Sequence, residues 1–188
     1  MHALATRQAI FLPLGAMLAL IAFAFTVPGY HSLSQHLSEL GLLPGLPAQA
    51  VLLGPSISGC SIIIFSLSLL VQARRFALTA VTSTLFGAAM LSNGLVTTGS
   101  PMHGLYGVGI FSVLTPLLFL VELGPQASSR IRWVSCWTSL LGMAYLWMMV
   151  TGMDPPDYRG LTQRLALLPA FGWYAFAAIE RLKIMPAR

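Results

Sequence analysis

Six stretches of about twenty apolar residues run through this 188-residue chain, over residues 8–27, 49–72, 76–98, 102–123, 133–153 and 161–182. About 20 helical residues cross a bilayer core about 30 Å thick. The spacing therefore predicts a polytopic membrane protein. Composition agrees: 56% of the residues are hydrophobic and 8% are charged, against about 25% charged in a soluble domain. Ten Lys/Arg and five Asp/Glu cannot give a globule of this size a polar shell. This excludes an ordinary cytosolic enzyme, a disordered tail and a nucleic-acid-binding domain. The fold expected is all-α, a six-helix transmembrane bundle forming one integral membrane domain over residues 1–188.

The cations predict an orientation. With the N-terminus in the cytoplasm, Arg7, Arg74, Arg75, Arg130, Arg132, Arg181, Lys183 and Arg188 fall on the cytoplasmic side, and only Arg159 and Arg164 fall outside. That bias predicts a multi-pass protein of the inner (plasma) membrane with both termini cytoplasmic. Trp133 and Trp137 suit the inner interface; Tyr30, Tyr106 and Tyr158 suit the outer one. The first span follows a basic segment and contains Ala22-Phe23-Ala24, a faint signal-cleavage pattern, but its apolar run is long for one. Pro13, Pro55, Pro116 and Pro169 are read as tolerated kinks. Gly54/Ser58, Gly15/Ala19 and Gly104/Gly107 are small-residue pairs suited to close helix contact. Cys60 and Cys136 lie in apolar runs and read as packing residues. No internal repeat is found, which gives an inverted-repeat transporter little support.

Sorting by face puts three of the four histidines (His31, His36, His103) and three of the five acids (Glu39, Asp154, Asp157) on the outer side, with Arg159 and Arg164. Glu122 and Glu180 stay inside, near cations, and read as interfacial solvation. In the long outer loop, Ser32-x-x-Gln35 is a capping-box pattern and Gly41 suits a helix C-terminus. An amphipathic helix over residues 33–40 is expected, with Leu33, Leu37 and Leu40 as its apolar stripe. His36 and Glu39 are then neighbours one turn apart.

Three chemistries compete for these residues. His36 and Glu39, with His103 opening the fourth span, are candidate ligands for a divalent metal, since imidazole and carboxylate suit zinc or iron. The plainer reading is a histidine hydrogen-bonded to a carboxylate at the interface. Ser32, His36 and Glu39 at i, i+4 and i+7 form a weak nucleophile–base–orienter series. Arg164 either snorkels to lipid phosphates or pairs inward with Glu39 or Asp154. Asn93, deep in the third span, is interhelical glue or a site-lining amide. Asp154-Pro155-Pro156-Asp157 reads first as a turn.

The segment PGYHSLSQHLSELG, the Gly/Ser-rich second span, Met102-His103-Gly104 and GLTQRL together resemble the domain of unknown function 998 family of bacterial and archaeal membrane proteins. The resemblance covers most of the chain, and its Ser38-Glu39-Leu40-Gly41 core is its most specific part. It implies six transmembrane helices and little assigned biochemistry. Where the family often carries Pro and Asp before the histidine, this chain has Thr97-Thr98-Gly99-Ser100-Pro101, with no acid. Ser38-Glu39-Leu40-Gly41 with its downstream proline is also faintly similar to the Ser-Asp-Thr-Gly loop of eukaryotic lipid-remodelling and autophagy-modulating membrane proteins, an analogy that points to lipids.

Two functions follow. In the first, a non-enzymatic protein holds a membrane lipid headgroup at the outer cluster: Arg164 and Arg159 meet phosphate, and His36, Glu39 and His103 bond the polar remainder, with Asn93, His31 and Asp154 lining the site. In the second, an intramembrane, metal-dependent, lipid-directed hydrolase uses His36, Glu39 and His103 as ligands or acid–base groups. Neither calls for nucleic acid, and no protein partner is legible.

Overall fold

The computed structural model describes residues 2–72, 74–103 and 108–184, all helix, turn or loop with no strand among them. A short helix α1 (His2–Arg7) leads through a 3-10 turn, Gln8–Ile10, into α2 (Leu12–Ala24). Then come α3 (Leu46–Gln72), α4 (Ala77–Leu95), α5 (Phe111–Leu123), α6 (Ser129–Thr151) and α7 (Arg159–Lys183). Helices adjacent in sequence pack on each other from α2 to α7, and α7 returns to pack on α1 and α2. The result is a helical membrane bundle.

Among the described residues five helical segments are long and apolar enough to cross a membrane: Ala3–Ala24, Leu46–Val71, Val108–Gln126, Ser129–Thr151 and Arg159–Lys183. The remaining expected stretch is α4, whose 19 residues extend about 28 Å. Thr79, Thr82, Ser83, Thr84, Ser92 and Asn93 reduce its hydropathy. Protein enclosure compensates, because α4 lies between α3 and α5. Thr79 and Ser83 are buried. Thr82 and Thr84 donate to the carbonyls of Leu78 and Ala80, and Thr115 of α5 donates to Thr82 at 2.9 Å.

The small-residue pairs divide. Gly54 packs on Leu20 and Ala16 of α2, and the Ser58 hydroxyl donates to the Pro13 carbonyl at 2.9 Å. Gly15 has open space where a side chain would be, and Ala19 is exposed, so that pair faces outward instead of making a contact. One close approach between helices is not marked by the sequence spacing. A Cβ on Gly59 would lie 2.6 Å from the Gly87 carbonyl, so α3 and α4 meet backbone to backbone. Gly104, Tyr106, Gly107 and Arg188 lie outside the described residues.

Around this contact, Phe65, Phe86, Phe119, Phe171, Trp173 and Tyr174 form an aromatic core with ring centroids 5.0 to 6.5 Å apart. Large apolar side chains such as Phe11, Val121 and Val150 point outward, as lipid-facing residues do. Pro13 occupies the first turn of α2 and causes no kink there, while Pro55, Pro116 and Pro169 lie inside α3, α5 and α7. Pro101, Met102 and His103 form a turn, held by a Ser92 hydroxyl bond to the Met102 carbonyl and a His103 N–H bond to Ser100. Among the described residues, His103 itself lies in that turn, and helix is next described from Val108.

Candidate functional site

Between α2 and α3 the chain forms a cap over one end of the bundle. The expected helix over residues 33–40 is absent. Residues 32–34 make a turn closed by Gln35 N–H to the His31 carbonyl at 2.8 Å, and the Gln35 side chain accepts from the His31 N–H at 2.7 Å. His36 is extended (φ −71°, ψ 148°), and a 3-10 helix runs over Leu37–Leu42. The capping position is therefore His36, not Ser32, and Glu39 accepts the His36 N–H at 3.0 Å. Gly41 lies inside the 3-10 helix and does not end an α-helix. Leu37 and Leu40 are buried, while Leu33 is exposed, so the apolar stripe is broken.

Arg164 explains the break. The residue is 4% exposed, and its guanidinium forms an ion pair with neither Glu39 nor Asp154, nor does it reach out toward lipid. One terminal nitrogen donates to the carbonyls of Gly160 (2.6 Å) and Gln35 (3.2 Å). The other donates to the Tyr30 hydroxyl at 3.1 Å. That hydroxyl in turn bonds the carbonyls of His36 (2.9 Å) and Gln35 (3.1 Å). A helix through residues 33–40 would use these carbonyls internally, so the arginine and tyrosine hold the loop unwound. Burial raises the Tyr30 hydroxyl above its usual range, against the pull of the Arg164 cation. Gly160 lets α7 reach the loop, because a side chain there would strike the Gln35 and Ser32 carbonyls. Leu161 N–H donates to the Leu33 carbonyl and Leu37 N–H to the Gln163 side chain, 2.9 and 2.8 Å long. Tyr30, Gln35 and Gln163 were missing from the sequence candidates, although GLTQRL contains two of the docking groups on α7.

The remaining charged candidates lie on the rim. Arg159 donates to the Ser34 carbonyl at 2.7 Å and stands 3.4 Å from Glu39. Asp154 accepts the Thr162 hydroxyl at 2.6 Å and lies 3.9 Å from His36 Nε2. That nitrogen is buried without a hydrogen bond. Burial lowers the His36 pKa, with Arg159 and Arg164 adding to the effect while Glu39 and Asp154 oppose it. His31 is exposed. The Ser32 hydroxyl is buried and unpartnered, and without the helix it loses its alignment with His36 and Glu39.

His103 lies apart, across the 3-10 helix. Its Nδ1 bonds the Val96 carbonyl at 2.7 Å, so Nδ1 carries the proton and Nε2 presents a lone pair. Thr98 is 3.5 Å from Nε2, but its hydroxyl hydrogen goes to the Ser38 carbonyl at 3.0 Å. His103 lines a cleft of about 90 Å³. Asn93, Ser38, Thr97 and Thr98 share that cleft. Among the described residues no three His, Cys, Asp or Glu side chains are gathered as a metal site.

The opposite end is basic. There Glu122 and Glu180 are not merely solvated at an interface; they cap helices. Glu122 on α5 accepts Leu78 N–H at 2.7 Å, Thr79 N–H at 3.1 Å and the Thr79 hydroxyl, all at the start of α4. Glu180 on α7 accepts the Ser128 N–H at 2.8 Å, at the start of α6, and Lys183 at 2.9 Å.

A family model described as "Protein of unknown function (DUF998)" matches residues 11–180. No curated protein and no solved structure matches the chain.

Proposed function

The chain belongs to the DUF998 family of proteins of unknown function, and from that premise we propose that it is a non-enzymatic inner-membrane protein whose capped end binds a lipid headgroup. The reading rests on one observation: His103, with its Nδ1 already committed to the Val96 carbonyl, and Asn93 line the same small cleft. Together they offer one acceptor and an amide of both polarities, a match for hydroxyl-bearing headgroups. Among the described residues no Lys or Arg lines the cleft, and Arg164 is engaged by carbonyls, so recognition falls on the hydroxyls and not on phosphate. Arg159, His31, Glu39 and Asp154 lie across the 3-10 helix from the cleft and are not among its lining residues.

The positive-inside bias puts this end outside the cytoplasm and both termini within it. Single cysteines at positions 36 and 130, in a background lacking Cys60 and Cys136, test the orientation. Labelling from opposite sides of the bilayer supports it; labelling from one side overturns it.

Lipid analysis of detergent-purified protein tests binding. A co-purifying lipid with a hydroxylated headgroup, lost in His103→Ala and Asn93→Leu, supports the proposal. Equal lipid content in both variants overturns it. A stoichiometric metal lost in both His36→Ala and His103→Ala would overturn it in favour of a metal-dependent, lipid-directed hydrolase.

A further inference from the structure

A second site lies toward the basic end. α2 and α6 flank α7, and between them runs a groove of about 410 Å³ lined by Leu14, Trp133, Trp137, Pro169, Gly172 and Phe176. Its volume falls in the range of small-ligand sites, roughly 300–1,000 Å³. Gly172 forms its floor, and a Cβ there would only touch Leu14 at 3.8 Å. The Thr138 hydroxyl donates to the Pro169 carbonyl at 3.4 Å, which removes the main polar atom from the wall.

The charges at its mouth indicate an occupant. Arg130 precedes Trp133 and Trp137 by three and seven residues, so it shares their face of α6. Lys183 follows Phe176 by seven on α7, and Arg7 lies at the same end before α2. Arg130 and Arg7 are exposed and make no ion pair among the described residues. Lys183 shares its charge with Glu180 at 2.9 Å. The mouth is therefore net positive and the groove below it is apolar. We propose that this groove holds an acyl chain of an anionic phospholipid, with its phosphate at Arg130, Lys183 and Arg7. The exposed Trp133 and Trp137 rings sit at the boundary depth that indoles favour.

The test reconstitutes the full chain in vesicles of phosphatidylcholine, with or without phosphatidylglycerol, using acyl chains brominated on one lipid at a time. Trp147→Phe leaves Trp133 and Trp137 as the main exposed reporters. Stronger quenching by brominated phosphatidylglycerol than by phosphatidylcholine is expected. Arg130→Gln should weaken that preference about fivefold, and Gly172→Leu should reduce quenching by both lipids. Gly172 tolerates the change sterically, and leucine is the better helix former. Equal quenching by the two lipids, or an unchanged profile in Gly172→Leu, overturns the proposal. So does cross-linking of a second copy through position 137. His103→Ala should leave the quenching intact, which separates this site from the headgroup cleft.

Discussion

The two ends of the bundle meet the same problem with opposite chemistry. At the basic end, the N–H groups of two helix starts need acceptors, and Glu122 and Glu180 reach across from neighbouring helices to supply them. At the histidine-bearing end, a loop leaves carbonyls unpaired, and Arg164 reaches across to supply donors. A carboxylate is an acceptor of negative charge, suited to the positive end of a helix dipole; a guanidinium is a fork of donors suited to several carbonyls. The lesson is that ionised side chains near each membrane face are here matched to backbone polarity more than to each other. At the histidine-bearing end ion pairs are secondary, with Arg159–Glu39 and His36–Asp154 separations of 3.4 and 3.9 Å, while at the basic end Glu180 adds one close pair, to Lys183 at 2.9 Å.

The comparison breaks most readily at Arg164. Replacing it with leucine leaves the Tyr30 hydroxyl and two carbonyls without their donor, and unfolding in detergent should show a loss of about 3 kcal/mol. Arg164→Lys should recover little, because an ammonium cannot span both carbonyls and the hydroxyl. A loss under about 1 kcal/mol, or full rescue by lysine, would mean the cap is held by apolar packing of Leu37 and Leu40. At the other end, Glu122→Ala should cost about 1 to 2 kcal/mol by the same assay, with Glu122→Gln recovering part of it. A larger loss there than at Arg164 would reverse the ranking of the two ends.

A third test uses pH. His36 has its pKa lowered by burial in the fold, from an ordinary 6.5. The unfolded chain then takes up the proton more readily, so stability holds above pH 6.5 and falls as pH drops below it toward the folded-state pKa. His36→Gln should flatten that part of the profile. A rise in stability below pH 6.5 would instead mean that protonated His36 closes onto Asp154. Smallest is Arg159→Gln: its partly exposed pair with Glu39 should contribute under about 1 kcal/mol, a loss that vanishes in high salt.

Much of the fold is legible in the sequence, because burial in lipid demands long apolar runs and little else. The exceptions share a cause. α4 resembles the other spans less because its hydroxyls are satisfied by its own carbonyls and by Glu122 and Thr115 of α5 while α3 and α5 enclose it, the enclosure being a tertiary fact. The loop misleads because Ser32, Gln35 and the leucines carry a valid helical pattern, which is overridden by an arginine more than 120 residues away. His103 and Asn93 were visible as polar residues near one face. Their shared cleft was not, since it depends on the turn at Pro101–His103 that brings His103 back onto the Val96 carbonyl. Arg164 was visible as a costly intramembrane cation, but carbonyl partners leave no trace in side-chain identity.

The reach of Arg164 also bears on how the protein is made. Glu122 meets its partners across 44 and 43 residues, so that joint can set as the α4–α5 hairpin leaves the translocation machinery, whereas the Glu180 joint to Ser128, across 52 residues, also waits for α7. The Arg164 joint spans 129 and 134 residues, linking an early-translated loop to the final helix. Until that helix is synthesised, the loop has no clasp and lies open to proteases. A nascent chain halted before residue 160 would therefore be inserted and yet unfinished, which makes synthesis of the last helix a checkpoint on the first loop.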